Sequence, residues 1–131
     1  MITDVVAGLV KKDGKFLIAK RIWGNETSVN KFEFPGGKVE AGEDFLHAIE
    51  RELREEMCIE VKGVSELLNY THDIPGRTIN LHLILCDYLD GEIKLTDHSE
   101  IKWVDRYDIL ENELCPGDEH IAKELINKNI I

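Results

Sequence analysis

The chain has 131 residues, 43% of them hydrophobic, and sets 26 Asp and Glu against 16 Lys and Arg for a formal net charge of −10. That length and hydrophobic content suit one domain spanning 1–131 around one core. So acidic a chain is a poor match for nucleic-acid polymers or anionic membranes, which both demand Lys and Arg against phosphate.

In chain order, Asp4 to Lys12 and Lys15 to Ile22 are apolar, β-branched runs flanking Asp13-Gly14, the pattern of a hairpin. A polar loop follows from Trp23 to Lys31, and a short Phe32-Glu33-Phe34 strand stops at Pro35-Gly36-Gly37. From Asp44 the period changes: Phe45, Ile49, Leu53 and Met57 recur every four residues, with Leu46 and Ala48 widening the stripe, so a helix is predicted to end near Met57. Ile59 to Asp73 and Arg77 to Asp90 read as strands joined by an Ile74-Pro75-Gly76 turn, and Asp90-Gly91 turns into a further segment, Glu92 to Leu95. Ile101 to Val104 is another short strand, followed by a short helix around Tyr107 to Glu111, a Cys115-Pro116-Gly117-Asp118 loop, and a closing helix from Glu119 to Asn127. Strands, one central helix, more strands and a terminal helix predict an α/β (α+β) fold with helices packed on a mixed sheet.

Cys58, Cys86 and Cys115 lie 28 and 29 residues apart, which is neither a CxxC spacing nor an even disulfide set. They read as free thiols in a reducing compartment. Residues 1–10 carry no basic leader pattern, and no apolar run approaches the roughly 18 residues of a membrane span, so a cytoplasmic location is expected.

The acid is concentrated. Between Glu40 and Glu60 eight acids face two bases, so this segment holds six of the ten excess negative charges. On the predicted helix Glu52, Glu55 and Glu56 share one arc beside the apolar stripe, and like charges at this spacing repel. One account is a solvated face laced by Glu50 with Arg54 and Arg51 with Glu55. The other is a hard divalent cation, which takes oxygen ligands from carboxylates, water and substrate phosphate.

The order of residues favours the second account. Gly37, five residues, Glu43, seven residues, then Arg51-Glu52-Leu53-Arg54-Glu55-Glu56-Met57-Cys58-Ile59 closely resembles the Nudix box, matching eight of its nine fixed positions. The departure is Cys58, where the family has Gly. A non-glycine residue in the left-handed conformation after a helix costs roughly 1–2 kcal/mol, so the mismatch bears on the cap more than on the chemistry. The segment Phe32 to Glu40 also resembles the approach to the box in MutT-type members, and the likeness extends over the whole chain.

This resemblance implies a Nudix α/β/α sandwich with a central mixed sheet and Mg²⁺-dependent hydrolysis, with Mn²⁺ as a substitute, of a small-molecule nucleoside triphosphate. It implies Glu52, Glu55, Glu56 and the Gly36 carbonyl as metal ligands, Arg51 orienting Glu52, and Glu43 supporting the scaffold. Glu52 is the favoured base, and a late-sheet acid, either Glu100 or Asp97, is the competitor. Arg21 resembles the family position that contacts phosphates, against the plainer reading of a strand-end surface arginine. Phe34 and Asp118 align with positions framing the base, while Asp118 also suits an N-cap of the last helix. The five histidines show no ligand spacing and read as surface or core. The expected activity is conversion of (d)NTP to (d)NMP and pyrophosphate, with nucleotide-pool sanitising on 8-oxo-dGTP first. CTP or a modified dCTP is the alternative substrate, and a nucleotide-binding regulator without hydrolysis is the reading from another class. Nothing in the pattern fixes an oligomeric state.

Overall fold

The computed structural model describes residues 2–131; Met1, the first residue of the expected domain, lies outside them. Seven strands form one mixed sheet: β1 (Ile2–Lys12), β2 (Lys15–Arg21), β3 (Phe32–Glu33), β4 (Gly36–Lys38), β5 (Glu60–Ile74), β6 (Arg77–Asp90) and β7 (His98–Val104). Helix α1 (Phe45–Met57) lies on one face and α2 (Pro116–Asn127) on the other, with a 3₁₀ turn at Ile109–Glu111. This is the three-layer mixed-sheet arrangement expected.

Strand β1 is buried without interruption from Val6 to Val10, because helices cover both faces of the sheet at its centre. Val6 and Val10 meet Ile49, Leu53 and Met57 of α1, while Ala7 and Leu9 join the opposite core with Ile121 and Leu125 of α2. On one side β1 runs parallel to β6 from Ile2↔Thr78 to Lys11↔Asp87. On the other side the sheet forks. β1 pairs with β2 only at Lys11↔Phe16 and Lys12↔Lys15, beside the Asp13-Gly14 turn, and then takes β4 as its neighbour (Val6↔Gly37, Ala7↔Gly36). β2 diverges to pair with β3 (Ala19↔Glu33) and β7 (Arg21↔His98). The mouth of this fork is where the functional candidates gather.

The structure differs from the sequence reading at four places. Gly36-Gly37, expected to end a strand, begins β4; an added Cβ at Gly36 would run into the Val6 carbonyl, so only glycine permits this close approach of two strands. Residues 92–95 form no strand. Instead the Lys94 N–H reaches the Met57 carbonyl and the Thr96 hydroxyl the Glu56 carbonyl, both at 3.0 Å, satisfying the exposed end of α1. Strand β7 starts at His98 rather than Ile101, with a register shift opposite Lys20 and Arg21. Helix α2 starts at Pro116, with Cys115 as its N-cap, so Asp118 lies inside the first turn and is not the cap. Proline at the first helical position is the signal that marks this start. Among the described residues, no helix is long and apolar enough to cross a membrane.

Candidate active site

Asp44 caps α1 by accepting the His47 N–H at 2.8 Å, and the apolar stripe of the helix locks Ile49, Leu53 and Met57 onto the sheet. That orientation turns Arg51, Glu52, Glu55 and Glu56 toward the fork. At the other end Cys58 adopts φ 60°, ψ 31°, the left-handed turn that the missing box glycine foretold.

Arg51 organises the acids. Its Nε and Nη2 bind the two Glu43 oxygens at 2.7 and 2.9 Å, and its Nη1 lies 3.1 Å from both Glu52 and Glu55. The Glu43 carboxyl is held below its usual range, first by its hydrogen bond from Arg51. The expected Arg51–Glu55 pair is thus present, whereas Glu50 and Arg54 turn elsewhere. Arg54 forks onto Glu60 at 2.8 and 3.0 Å, and Glu50 accepts the Gly63 N–H at 2.8 Å.

The box carboxylates differ in surroundings. Glu55 is 61% exposed, whereas Glu52 and Glu56 are mostly enclosed. Burial pushes the Glu56 carboxyl up to about 7; His98 opposes the shift, and the charges of Glu33, Asp97 and Glu52 add to it. Gly37 opens the space Glu52 occupies, since an added Cβ there would strike the Glu52 carboxylate. The donors that gather here are hard carboxylate oxygens in excess of local cations. Such a set fits a hard divalent cation; Glu56 lines the cleft, Glu52 lies against Gly37 in its wall, and Glu55 is turned to solvent.

Two residues that sequence reasoning passed over complete the cluster. Glu33 on β3 accepts Arg21 Nη1 at 3.1 Å and contacts His98 Nε2 at 2.8 Å; His98 Nδ1 lies 3.4 Å from Glu56. His98, read from sequence as ordinary surface or core, has a side chain only 1% exposed and bridges two acids of the site. Among the described residues, Glu33, Glu56 and His98 lie close enough to hold a metal ion together, and so do Glu33, Cys115 and Asp118; Glu52 and Glu55 belong to neither group. The signal for His98 was its place seven residues after the turn at Asp90-Gly91 and next to Asp97, but only strand pairing brings it opposite Arg21.

Glu100 is not brought to this cluster. It pairs with Lys20 at 3.2 Å, and the Lys20 ammonium lies over the Phe32 ring, which packs in the core beneath α2. Asp97, the other late-sheet acid, bears directly on the charge of Glu56.

The fork encloses a cleft of about 210 Å³. Glu56, Gly36 and Gly37 line one part of it and Phe34, Leu81 and Asp118 another, with Arg21 and Trp23 also in its wall. Asp118 accepts the Phe34 N–H at 3.0 Å. Burial and the nearby Glu33 push its carboxyl up to about 7 against that hydrogen bond. Arg21 is held on two sides, by Glu33 and by the Trp23 carbonyl, which accepts its Nε at 3.3 Å.

Residues 2–125 match the family described as NUDIX domain. Among proteins of assigned activity, the chain is 33% identical over 115 residues to a CTP pyrophosphohydrolase of Escherichia coli, covering 88% of this chain and 84% of that one. It is 27% identical over 128 residues to an 8-oxo-dGTP diphosphatase of Haemophilus influenzae, covering 97% and 93%. The solution structure of the E. coli ORF135 protein superposes with a TM-score of 0.82 at 30% identity, covering 96% of this chain and 89% of that one. A MutT protein from Methanosarcina mazei gives 0.82 at 24% identity, covering 98% and 95%, a likeness of fold.

Proposed function

Because the chain belongs to the NUDIX domain family, whose members matched here are hydrolases of phosphoric anhydride bonds, we propose that it converts a nucleoside triphosphate and water to the nucleoside monophosphate and pyrophosphate. The observation that carries this reading is one cleft joining enclosed carboxylates, an anchored arginine and a half-buried acid beside an aromatic ring.

Family members generally use divalent metal ions; Mg²⁺, with Mn²⁺ as a substitute, is assigned here to Glu52, Glu55, Glu56 and the Gly36 carbonyl. When bound there, such an ion would polarise the phosphoryl oxygens and make a bound water more acidic. The side chains do the rest. Glu52 takes the proton of the attacking water while Arg51, itself braced by Glu43, fixes its orientation. Asp97 is the late-sheet acid that supports the site, in preference to Glu100. Arg21 has two of its donors tied to protein and offers Nη2 to a phosphate oxygen. Phe34 and Asp118 receive the base.

8-oxo-dGTP is the first substrate to test, because an Asp118 poised between protonation states suits both the donors and the acceptors of an oxidised guanine. CTP and modified dCTP form the second reading, favoured by the 33% identity to the E. coli CTP pyrophosphohydrolase. Steady-state turnover on 8-oxo-dGTP, dGTP, CTP and 5-methyl-dCTP separates the two, and no preference for 8-oxo-dGTP over dGTP would sink the first. Glu52→Gln is expected to lower kcat by about 10²–10⁴-fold, the range for loss of a positioned base. Unchanged pyrophosphate release by that variant would remove the catalytic assignment.

A further inference from the structure

Trp23 has no part in the chemistry above, yet it is a large aromatic side chain held 52% exposed in the wall of the catalytic cleft. A single exposed apolar side chain is ordinary, but this one lies in the wall of a cleft and over a cation there. The loop is braced by hydrogen bonds. Its ends are tied where the Arg21 N–H meets the Lys31 carbonyl at 2.9 Å and the Asn30 N–H meets the Arg21 carbonyl at 3.0 Å. Inside it the Asn25 side chain accepts both the N–H and the hydroxyl of Thr27, at 2.9 and 2.6 Å. Gly24 sits at φ 121°, and an added Cβ there would meet the Ser28 hydroxyl and come within 3.2 Å of Arg21 Nη2. The indole itself lies over the Arg21 guanidinium, 3.7 Å from ring centroid to Cζ. One face of the ring is therefore taken by the cation, and the exposed remainder opens toward the cleft that Phe34, Leu81 and Asp118 also line.

We propose that Trp23 is a specificity-determining residue whose indole stacks on the nucleobase of the bound substrate. This inference rests on the reading of the chain as a nucleoside triphosphate hydrolase and adds to it a further part of the cleft that Phe34 and Asp118 also line. A base seated there meets a π surface already polarised by Arg21, and stacking of this kind tolerates any base while demanding that there be one. Asp118 then reads the base edge and Trp23 its face.

Two measurements test it. Trp23→Leu is expected to raise KM for a nucleoside triphosphate between about 5-fold and 100-fold with kcat within about 2-fold, and Trp23→Phe to restore most of the loss. Turnover of ribose 5-triphosphate, which has no base, should be the same for Trp23→Leu and the unaltered chain. A residue that merely held Arg21 in place would weaken both substrates alike, and that result overturns the proposal. Independently, Trp103 packs against Tyr88 on the α1 side of the sheet and does not line the cleft, so Trp103→Phe leaves Trp23 as the sole indole. In that background with Glu52→Gln to arrest turnover, nucleoside triphosphate should quench the emission and pyrophosphate should not. No quenching by a nucleotide that the unaltered chain hydrolyses overturns the role of Trp23 and leaves the hydrolase reading standing. No hydrolysis of any nucleoside triphosphate by the unaltered chain overturns the parent reading and this one with it.

Discussion

Replacing Cys58 by glycine should make the protein more stable. Cys58 ends α1 at φ 60°, ψ 31°, where its N–H reaches the Arg54 carbonyl at 3.1 Å and the next N–H, of Ile59, reaches back to Leu53 at 3.5 Å. The turn is needed to drive Ile59, which is fully buried, into the core beside Leu53 and Met57. A side chain in this conformation costs roughly 1–2 kcal/mol, which glycine avoids. Against that, glycine adds freedom to the unfolded chain worth about 0.4–1 kcal/mol. The thiol is exposed, so its removal forfeits almost no burial. The difference leaves a gain of about 0.5–1 kcal/mol, or roughly 2–4 °C in Tm for a chain of this size. Urea denaturation at pH 7 followed by circular dichroism measures it. Cys58→Ala serves as the control, because alanine keeps the strained backbone and should give no gain, while Cys58→Asn should fall between. A Cys58→Gly midpoint equal to or below that of Cys58→Ala would refute the strain argument.

Asp118 and the two cleft glycines give further tests. The folded Asp118 carboxyl, raised to about 7 from an ordinary 3.8, contributes stability that is complete below about pH 4 and is lost as the pH climbs to 7, because the unfolded chain ionises first. The full shift corresponds to about 4 kcal/mol, and partial exposure reduces the expected loss to roughly 2 kcal/mol. Asp118→Asn retains an acceptor for the Phe34 N–H, so its denaturation midpoint should match the unaltered chain at pH 4 and exceed it progressively up to pH 7; equal midpoints at pH 8 would contradict the assignment. Gly37→Ala should fold normally but lose about 100-fold in kcat, since its Cβ displaces only the end of the Glu52 side chain, whereas Gly36→Ala should lower the melting temperature by meeting the Val6 backbone. Similar thermal and kinetic behaviour of the two glycine variants would show that this distinction is mistaken.

Much of this was legible in the sequence, and the exceptions share a cause. The four-residue recurrence from Phe45 to Met57 located α1 because periodicity is local, and Asp13-Gly14 located the first hairpin for the same reason. Strand β4 was not legible: Gly36-Gly37-Lys38 has no strand pattern, and its conformation is imposed by backbone approach to Val6 and Ala7. Glu33 and His98 became site residues only through Ala19↔Glu33 and Arg21↔His98 pairings between segments far apart in sequence. Where Asp97 and Glu100 fall relative to the cluster depends on a register shift in β7 that no spacing rule announces. The box pointed to the acids and their arginine; the place of Trp23 in the same cleft had no motif to reveal it.

The fork between β1 and β2 gives the molecule the mechanics of a pair of calipers. One jaw is β1 with β4 and carries the Gly36-Gly37 backbone; the other is β2 with β3 and β7 and carries Arg21, Glu33 and His98. The pivot is the short run of pairing beside Asp13-Gly14, packed by Val10 and Leu17. A small angular change at that pivot would be magnified at the jaw tips, where the cleft opens. The width of the cleft is therefore tied to how core residues pack at the far end of the hairpin, at positions that do not line the cleft themselves.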